Sequence, residues 1–241
     1  MTDSAATPTV DKSPRAVQDM FAGVAPRYDL LNHLMSGALD FVWRRRATRS
    51  LAPRAGERIL DLCSGTGDQA VTTGRRGARV AAADFCLPML ALSRPKFAAL
   101  AGPGPWPLAA DALALPFGDG RFAGATVSFG LRNVVDLDAA LSQLARTLEP
   151  GGRLVVLEAA LPDNRLLRRL YLLYFLRVLP WLGRLVSPRA SAYRYFPDSV
   201  LGFPQRQEFL DRMAAAGFEN LTWKDQAGGT VCLYRGTKGE R

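Results

Sequence analysis

Residues 61–68, Asp-Leu-Cys-Ser-Gly-Thr-Gly-Asp, constrain the fold of this 241-residue chain more than any other segment. They follow the apolar run Arg58-Ile59-Leu60-Asp61-Leu62 and lead into helix-compatible text, so a glycine turn sits where a strand meets a helix. Gly65 and Gly67 lack a β-carbon, which permits a tight turn and a close approach of a ligand to the backbone. A second apolar run, Arg79 to Asp84, follows at the distance expected of a strand-helix-strand unit. Further strands are predicted at Trp106–Ala109, Phe122–Phe129 and Gly152–Glu158, with helices over Pro88–Leu100 and Leu137–Leu148. This alternation implies an α/β fold with a doubly wound, mostly parallel sheet.

Two helical additions flank that pattern. Residues 15–52 carry Val17, Met20, Phe21, Val24, Leu30, Leu31 and Leu34 at three- and four-residue spacings and read as an N-terminal helical extension. Residues 165–200 interrupt the sheet pattern as a helical insertion covering a pocket. A helix near Gln205–Ala216 and closing strands near Phe218–Lys224 and Thr230–Arg235 follow. Glu149-Pro150-Gly151-Gly152 is expected to close one helix and open the fifth strand. Residues 1–14 are polar, lack the apolar core of a secretory signal, and read as a flexible tail before a single domain, 15–241.

Composition excludes several classes of protein. Cys63, Cys86 and Cys232 are far apart and show no metal-ligand spacing, so neither a disulfide framework nor zinc is indicated, which favours a reducing cytoplasm. The single His33 rules out His-based metal clusters and weakens a Ser-His hydrolase reading; no metal is expected. The net charge of +9 suits an anionic surface or ligand, although a general preference for arginine would produce it too. Arg165, Arg168, Arg169, Arg177, Arg184, Pro180 and Gly183 interrupt residues 165–187, so this stretch should not cross a bilayer. Its Leu166, Leu167, Leu170, Tyr171, Leu173, Tyr174 and Phe175 suit a lipid headgroup boundary, or else a helix packed over the sheet with its arginines in water.

Charge also reads the turn. Gly65-x-Gly67-x-x-Ala70 fits a dinucleotide fingerprint, with Asp84 as the ribose-binding acid. Asp61 and Asp68 would oppose a pyrophosphate, whereas S-adenosylmethionine brings an ammonium and a sulfonium that carboxylates favour. Asp84, at the carboxyl edge of the sheet, is placed to accept ribose hydroxyls; capping the next helix is its alternative. Asp111 and Ala112 stand where an adenine amino group would be read. A purely structural turn capped by Thr66 and Asp68 is the plainest alternative.

Four segments carry a more specific likeness: Asp61–Asp68, Ala114-Leu115-Pro116-Phe117, Ser128-Phe129-Gly130-Leu131-Arg132-Asn133-Val134 and Glu149–Gly152. With Phe21, Tyr28-Asp29-Leu30-Leu31-Asn32, Tyr193-Arg194-Tyr195 and the Gly228-Gly229 to Arg235-Gly236 ending, the chain resembles the ubiquinone/menaquinone biosynthesis C-methyltransferase family. The resemblance implies a Rossmann-like class I methyltransferase that moves a methyl group from S-adenosylmethionine to a ring carbon of a prenylated quinol. Demethylmenaquinol and the equivalent ubiquinone precursor both remain open as that quinol. It also implies cofactor contacts at Thr66, Asp84, Asp111, Ala112 and Ser128, beside the turn residues Asp61, Gly65 and Gly67. Cys63 departs from the wider pattern, in which glycine is frequent.

A ring carbon becomes nucleophilic when the adjacent hydroxyl loses its proton, so Arg132 is expected to stabilise a phenolate. Tyr28 and Asn133 are expected to orient the hydroxyl or a proton-accepting water. The expected partners are the prenylated quinol and a membrane surface touched peripherally from the cytoplasm, with no nucleic acid; a homodimer stays open. Another small apolar acceptor, or RNA, would be the competing substrates.

Overall fold

The computed structural model describes residues 11–102, 104–174, 177 and 191–240, the side chains of 191–194 excepted. Most of the expected flexible tail, Phe175, Pro180, Gly183 and Arg184 of the insertion, and the side chains of Tyr193 and Arg194 lie outside the described residues.

Seven strands form one sheet: β1 (Arg58–Leu62), β2 (Arg79–Asp84), β3 (Trp106–Ala109), β4 (Phe122–Ser128), β5 (Leu148–Ala159), β6 (Phe218–Gln226) and β7 (Val231–Lys238). Their order is β3-β2-β1-β4-β5-β7-β6. The pairs among β1 to β5 are parallel, and β7 runs antiparallel to both β5 and β6. This is the doubly wound, mostly parallel sheet that the alternating text predicts, in the Rossmann-like class I arrangement that the resemblance implies. β1 and β2 are buried along nearly their whole length, which explains why they read as unbroken apolar runs. The strand order reverses between β1 and β4, so their carboxyl ends open the crevice where ligands of such sheets bind.

The N-terminal extension is three helices: α1 (Pro14–Val24), α2 (Tyr28–Ser36) and α3 (Leu39–Leu51). Pro26 lies in the tight turn that separates the first two, and the left-handed Gly37-Ala38 pair separates the last two. α3 belongs to the core, because Ala47 and Leu51 pack with Ile59 and Val155 beneath the sheet. α4 (Asp68–Gly74), α5 (Leu87–Ala98) and α6 (Leu137–Thr147) make the crossovers. α7 (Arg165–Leu173) opens the insertion; α8 (Ser191–Leu201) and α9 (Gln207–Ala215) follow.

One expected boundary moves. Glu149 to Gly152 lie within β5, as a bulge: Phe122 pairs with Leu148, yet Gly124 pairs with Arg153. Gly151 supplies a φ of +73°, and a β-carbon on Gly152 would meet the Glu149 carbonyl oxygen at 2.7 Å. The glycines therefore let the strand loop out and rejoin its partner.

Candidate active site

The glycine turn leaves β1 through Cys63, which has a φ of +55°, and closes with Gly67 N–H donating to the Ser64 carbonyl at 2.9 Å. Gly65 lines the crevice and donates its N–H to Asp84 Oδ2 at 2.8 Å, while Asp84 Oδ1 accepts from Cys86 N–H at 2.8 Å. Burial raises the Asp84 pKa, and these backbone donors oppose the shift. Gly67 lines none of the main cavities. A β-carbon there would meet Phe97 Cε1 at 2.5 Å, so its structural role is to let α5 pack against the turn.

Of the two flanking carboxylates, only Asp61 has no ion-pair partner among the described residues. Lys96 holds Asp68 Oδ1 and Asp29 Oδ2, each at 2.6 Å, and the Thr66 hydroxyl donates to Asp29 Oδ1 at 2.5 Å. Asp68 is thus compensated, and its chain of contacts fastens α2 to the turn. Asp61 is buried; its Oδ1 accepts from the Thr126 hydroxyl at 2.7 Å and its Oδ2 has no partner. Burial pushes its pKa up to about 6, against the pull of the Thr126 and Ser64 hydroxyls and the more distant Arg44. His33, Asp40 and Asp68 come within 4.8 Å of one another, a grouping that composition did not suggest. Their ligand atoms are already engaged: His33 pairs with Asp40 at 3.0 Å, Ser36 donates to Asp40, and Lys96 holds Asp68.

Along the sheet edge, one cavity is lined by Gly65, Asp84, Asp111, Ala112, Ser128 and Tyr28. Asp111 is exposed and braces its own loop by accepting from Leu113 N–H at 2.9 Å. Ser128 donates to Gln69 Oε1 at 3.2 Å, a partner that nothing in the sequence marked. A smaller cavity continues past Ser128 to Thr66, Asp61, Ser64 and Arg44.

The Phe129–Asn133 segment is built around one carbonyl. Phe129 takes a φ of +61°, and its oxygen accepts from Arg132 Nη1 at 2.5 Å and from Asn133 Nδ2 at 3.3 Å. Arg132 is 5% exposed and pairs with the buried Glu158 at 2.6 Å, so it is no surface ion pair. Burial works against its charge, but Glu158 together with Tyr28 and Tyr195 outweighs that and leaves the pKa raised. Glu158 went unread in the sequence, although a lone carboxylate ending an apolar strand is the pattern that singled out Asp84.

Arg132 faces a second cavity of about 310 Å³, whose walls include Met35, Leu39, Trp43, Phe129, Tyr171 and Phe196. Tyr28 lines this cavity and both cofactor-side cavities, and so stands where they meet. Burial raises its pKa against the pull of Asn32 and Arg132, so at neutral pH it is a protonated phenol. An adjoining chamber brings in Asn133 and Tyr195, and burial pushes the Tyr195 phenol up to about 12. Lys12, counted in the tail by its sequence, lines the sheet-edge cavity, and burial lowers its pKa despite Glu158 nearby.

Eight buried side-chain polar atoms among the described residues have no partner, and six of them belong to residues of these cavities. Arg44 Nε, Asp61 Oδ2 and Ser64 Oγ gather at the cofactor end; Arg132 Nε, Asn133 Oδ1 and Tyr195 Oη gather at the acceptor end. Buried groups of this kind are costly unless a ligand completes them. An unpartnered carboxylate beside a glycine turn fits an ammonium-bearing nucleoside and disfavours a pyrophosphate.

The sequence profile of the ubiE/COQ5 methyltransferase family matches residues 9–238. A demethylmenaquinone methyltransferase of Thermus thermophilus is 51% identical over 201 residues, covering 83% of this chain and 91% of that protein. The ubiquinone/menaquinone biosynthesis C-methyltransferase UbiE of Geobacter sulfurreducens is 44% identical over 227 residues, covering 92% and 88%. A S-adenosylmethionine-dependent methyltransferase of Thermotoga maritima shares the fold, with a TM-score of 0.67 at 20% identity over 92% of this chain and 99% of its own. The chain therefore belongs to the ubiE/COQ5 methyltransferase family and is a S-adenosylmethionine-dependent enzyme.

Proposed function

We propose that the chain methylates a ring carbon of a prenylated quinol, with demethylmenaquinol as its substrate. The observation that carries this reading is the acceptor cavity with its adjoining chamber, whose walls hold three unpartnered polar groups, on Arg132, Asn133 and Tyr195. An apolar ring with two hydroxyls completes those groups and fills those walls; the name of the Thermus relative favours demethylmenaquinol among such rings. S-adenosylmethionine supplies the activated methyl group. Asp61, Gly65, Thr66, Asp84, Asp111, Ala112 and Ser128 hold it.

Arg132 faces the ring hydroxyl and favours its deprotonated form, its proton passing to water, which raises electron density on the adjacent carbon. That carbon takes the methyl group, leaving S-adenosylhomocysteine, and loses its ring proton to water. Glu158 acts through Arg132 and fixes the guanidinium plane. Tyr28, protonated, orients the hydroxyl by donating to it, and Asn133 Oδ1 accepts from the second hydroxyl or a bound water. The test is purified protein with reduced demethylmenaquinone and S-adenosylmethionine, read by mass spectrometry as one added methyl group on the ring. An unchanged quinol mass, with S-adenosylmethionine bound, would sink the substrate assignment.

Because Asp61 is raised to about 6, cofactor affinity acquires a pH dependence. The cofactor ammonium favours ionised Asp61 and itself loses its proton at about pH 8, so affinity should be highest around pH 7 and fall as pH drops through 6, approaching tenfold per pH unit below it. Asp84 is raised too, and Arg44 acts on Asp61 in the opposite sense, so Asp61→Asn is the control. Calorimetry between pH 5 and 8 should show the slope in the natural protein and a weaker, flatter dependence in Asp61→Asn. Equal slopes would assign the effect elsewhere.

Membrane docking is part of the same proposal. Tyr171 and Tyr174 line the acceptor cavity, while Leu166, Leu167, Leu170 and Leu173 of α7 are all exposed between arginines. Leu39, at 46% exposure, carries the apolar wall out to the surface. A helix with this face lies in the headgroup region of the inner leaflet, and a prenyl tail passes beneath it without entering water. No helix of the described residues is long and apolar enough to cross a membrane. Flotation with anionic liposomes should be lost when Leu166 and Leu170 become Asp and Arg168 becomes Glu; equal flotation of both proteins would leave α7 as a lid alone.

A further inference from the structure

Arg44 is a buried cation that the acceptor chemistry does not use. It is 8% exposed, on α3, and among the described residues it donates no hydrogen bond. Its one ion-pair neighbour, Asp40, lies 3.9 Å away and is already engaged by His33 at 3.0 Å and Ser36 at 2.8 Å. The guanidinium stands 5.6 Å from the Phe129 ring centroid, which sets its plane without satisfying its donors.

Arg44 shares the small cofactor-side cavity with Asp61 and Ser64, which also hold partnerless polar atoms. No ion pair joins Arg44 to Asp61, although the guanidinium is near enough to pull the Asp61 pKa down against burial. A cation and an anion thus face one cavity, each with polar atoms left unsatisfied. A simple anion would satisfy one and repel the other; a ligand end carrying both charges satisfies both.

We infer that Arg44 binds the α-carboxylate of the methionine end of S-adenosylmethionine, opposite Asp61, which takes the ammonium. The inference rests on the cofactor assignment and adds a residue that neither the glycine turn nor the sheet edge supplies. α3 then serves twice, since the helix that covers the sheet also closes the amino-acid end of the cofactor site. Because Arg44 also walls the acceptor cavity, the bound carboxylate neutralises a cation that would otherwise face the quinol.

The test compares S-adenosylmethionine with its decarboxylated analogue, which keeps the sulfonium and ammonium but has no carboxylate. Calorimetry on the full chain should show Arg44→Leu binding S-adenosylmethionine roughly 10- to 100-fold more weakly, the range of a lost charge-assisted pair. The analogue should bind the natural protein and Arg44→Leu alike. Arg44→Lys, which keeps the charge but not the fork, should lose less, and it carries the test if the Leu variant fails to fold. Equal losses for both ligands would mean that Arg44 is structural. Undiminished S-adenosylmethionine binding with a raised KM for the quinol would place it at the acceptor instead. Failure of the natural protein to bind S-adenosylmethionine at all would overturn the cofactor assignment itself.

Discussion

Arg132→Ala is expected to lower the methylation rate by about 10²- to 10³-fold, the effect of removing one preorganised donor from a developing oxyanion. Position alone suggests a loss confined to turnover, with cofactor affinity and folding nearly intact. The Glu158 contact changes that expectation. Glu158 is fully buried and paired with Arg132 at 2.6 Å, so the truncation strands a carboxylate in the core. Breaking such a pair typically costs about 3–5 kcal/mol, enough to threaten a domain of ordinary stability. Two consequences must therefore be separated. In Arg132→Gln/Glu158→Gln the buried charge is gone, and urea denaturation should show most of the stability recovered. Single-turnover methylation should stay depressed, because the cation facing the ring is still missing. A double variant that regained both stability and turnover would show that Arg132 serves the fold and that the phenolate is stabilised by something else.

What the sequence disclosed follows from how strongly each element constrains its own residues. The observed bounds of β1 and β2 coincide with the predicted ones because buried parallel strands must be apolar; those of β3, an edge strand whose side chains are exposed or half-buried, coincide as well. The start of β5 was misplaced because a glycine bulge and a glycine turn are spelled alike; only the pairing of Gly124 with Arg153 distinguishes them. Among the site residues, those on the sheet edge were legible, since the carboxyl ends of β1, β2 and β4 converge in any fold of this order. Residues brought in from outside the sheet were not. Lys96 cancels Asp68 from 28 residues away, and Glu158 meets Arg132 from 26 residues away. Arg44 sits among other arginines of α3 but falls on the buried stripe Asp40-Trp43-Arg44-Ala47-Thr48-Leu51, a three- and four-residue spacing that separates it from its exposed neighbour Arg45; in sequence the charge hides it. The charge of the turn therefore depends on cations that only the fold brings in, Lys96 at Asp68 and Arg44 near Asp61.

The second large effect is expected at a residue with no polar chemistry. A β-carbon built on Gly130 would lie 2.3 Å from Cys63 Cβ and 2.9 Å from its sulfur, so the turns leaving β1 and β4 are in contact there without room to spare. Gly130→Ala should destabilise the fold by about 3 kcal/mol, the upper part of the range for overpacking. The displacement falls on the segment that presents Arg132 and Asn133, so turnover should fall at least tenfold even in the folded fraction, as a small misplacement of reacting groups suffices for that. Cys63 holds a left-handed φ of +55° that favours glycine, and burial pushes its thiol pKa well up, so it acts as a small, half-buried side chain and not as a thiolate. Cys63→Gly alone should then be tolerated, since relief of backbone strain offsets the lost contact. In the double variant the missing Cys63 side chain makes space for the new methyl group, and stability and turnover should both return toward those of Cys63→Gly. The double-mutant cycle measures this as a coupling of about 1–3 kcal/mol by thermal or urea unfolding. Additive losses would mean that the Gly130 position is governed by its own backbone or by Val127 at 3.4 Å, and that the two turns are set independently.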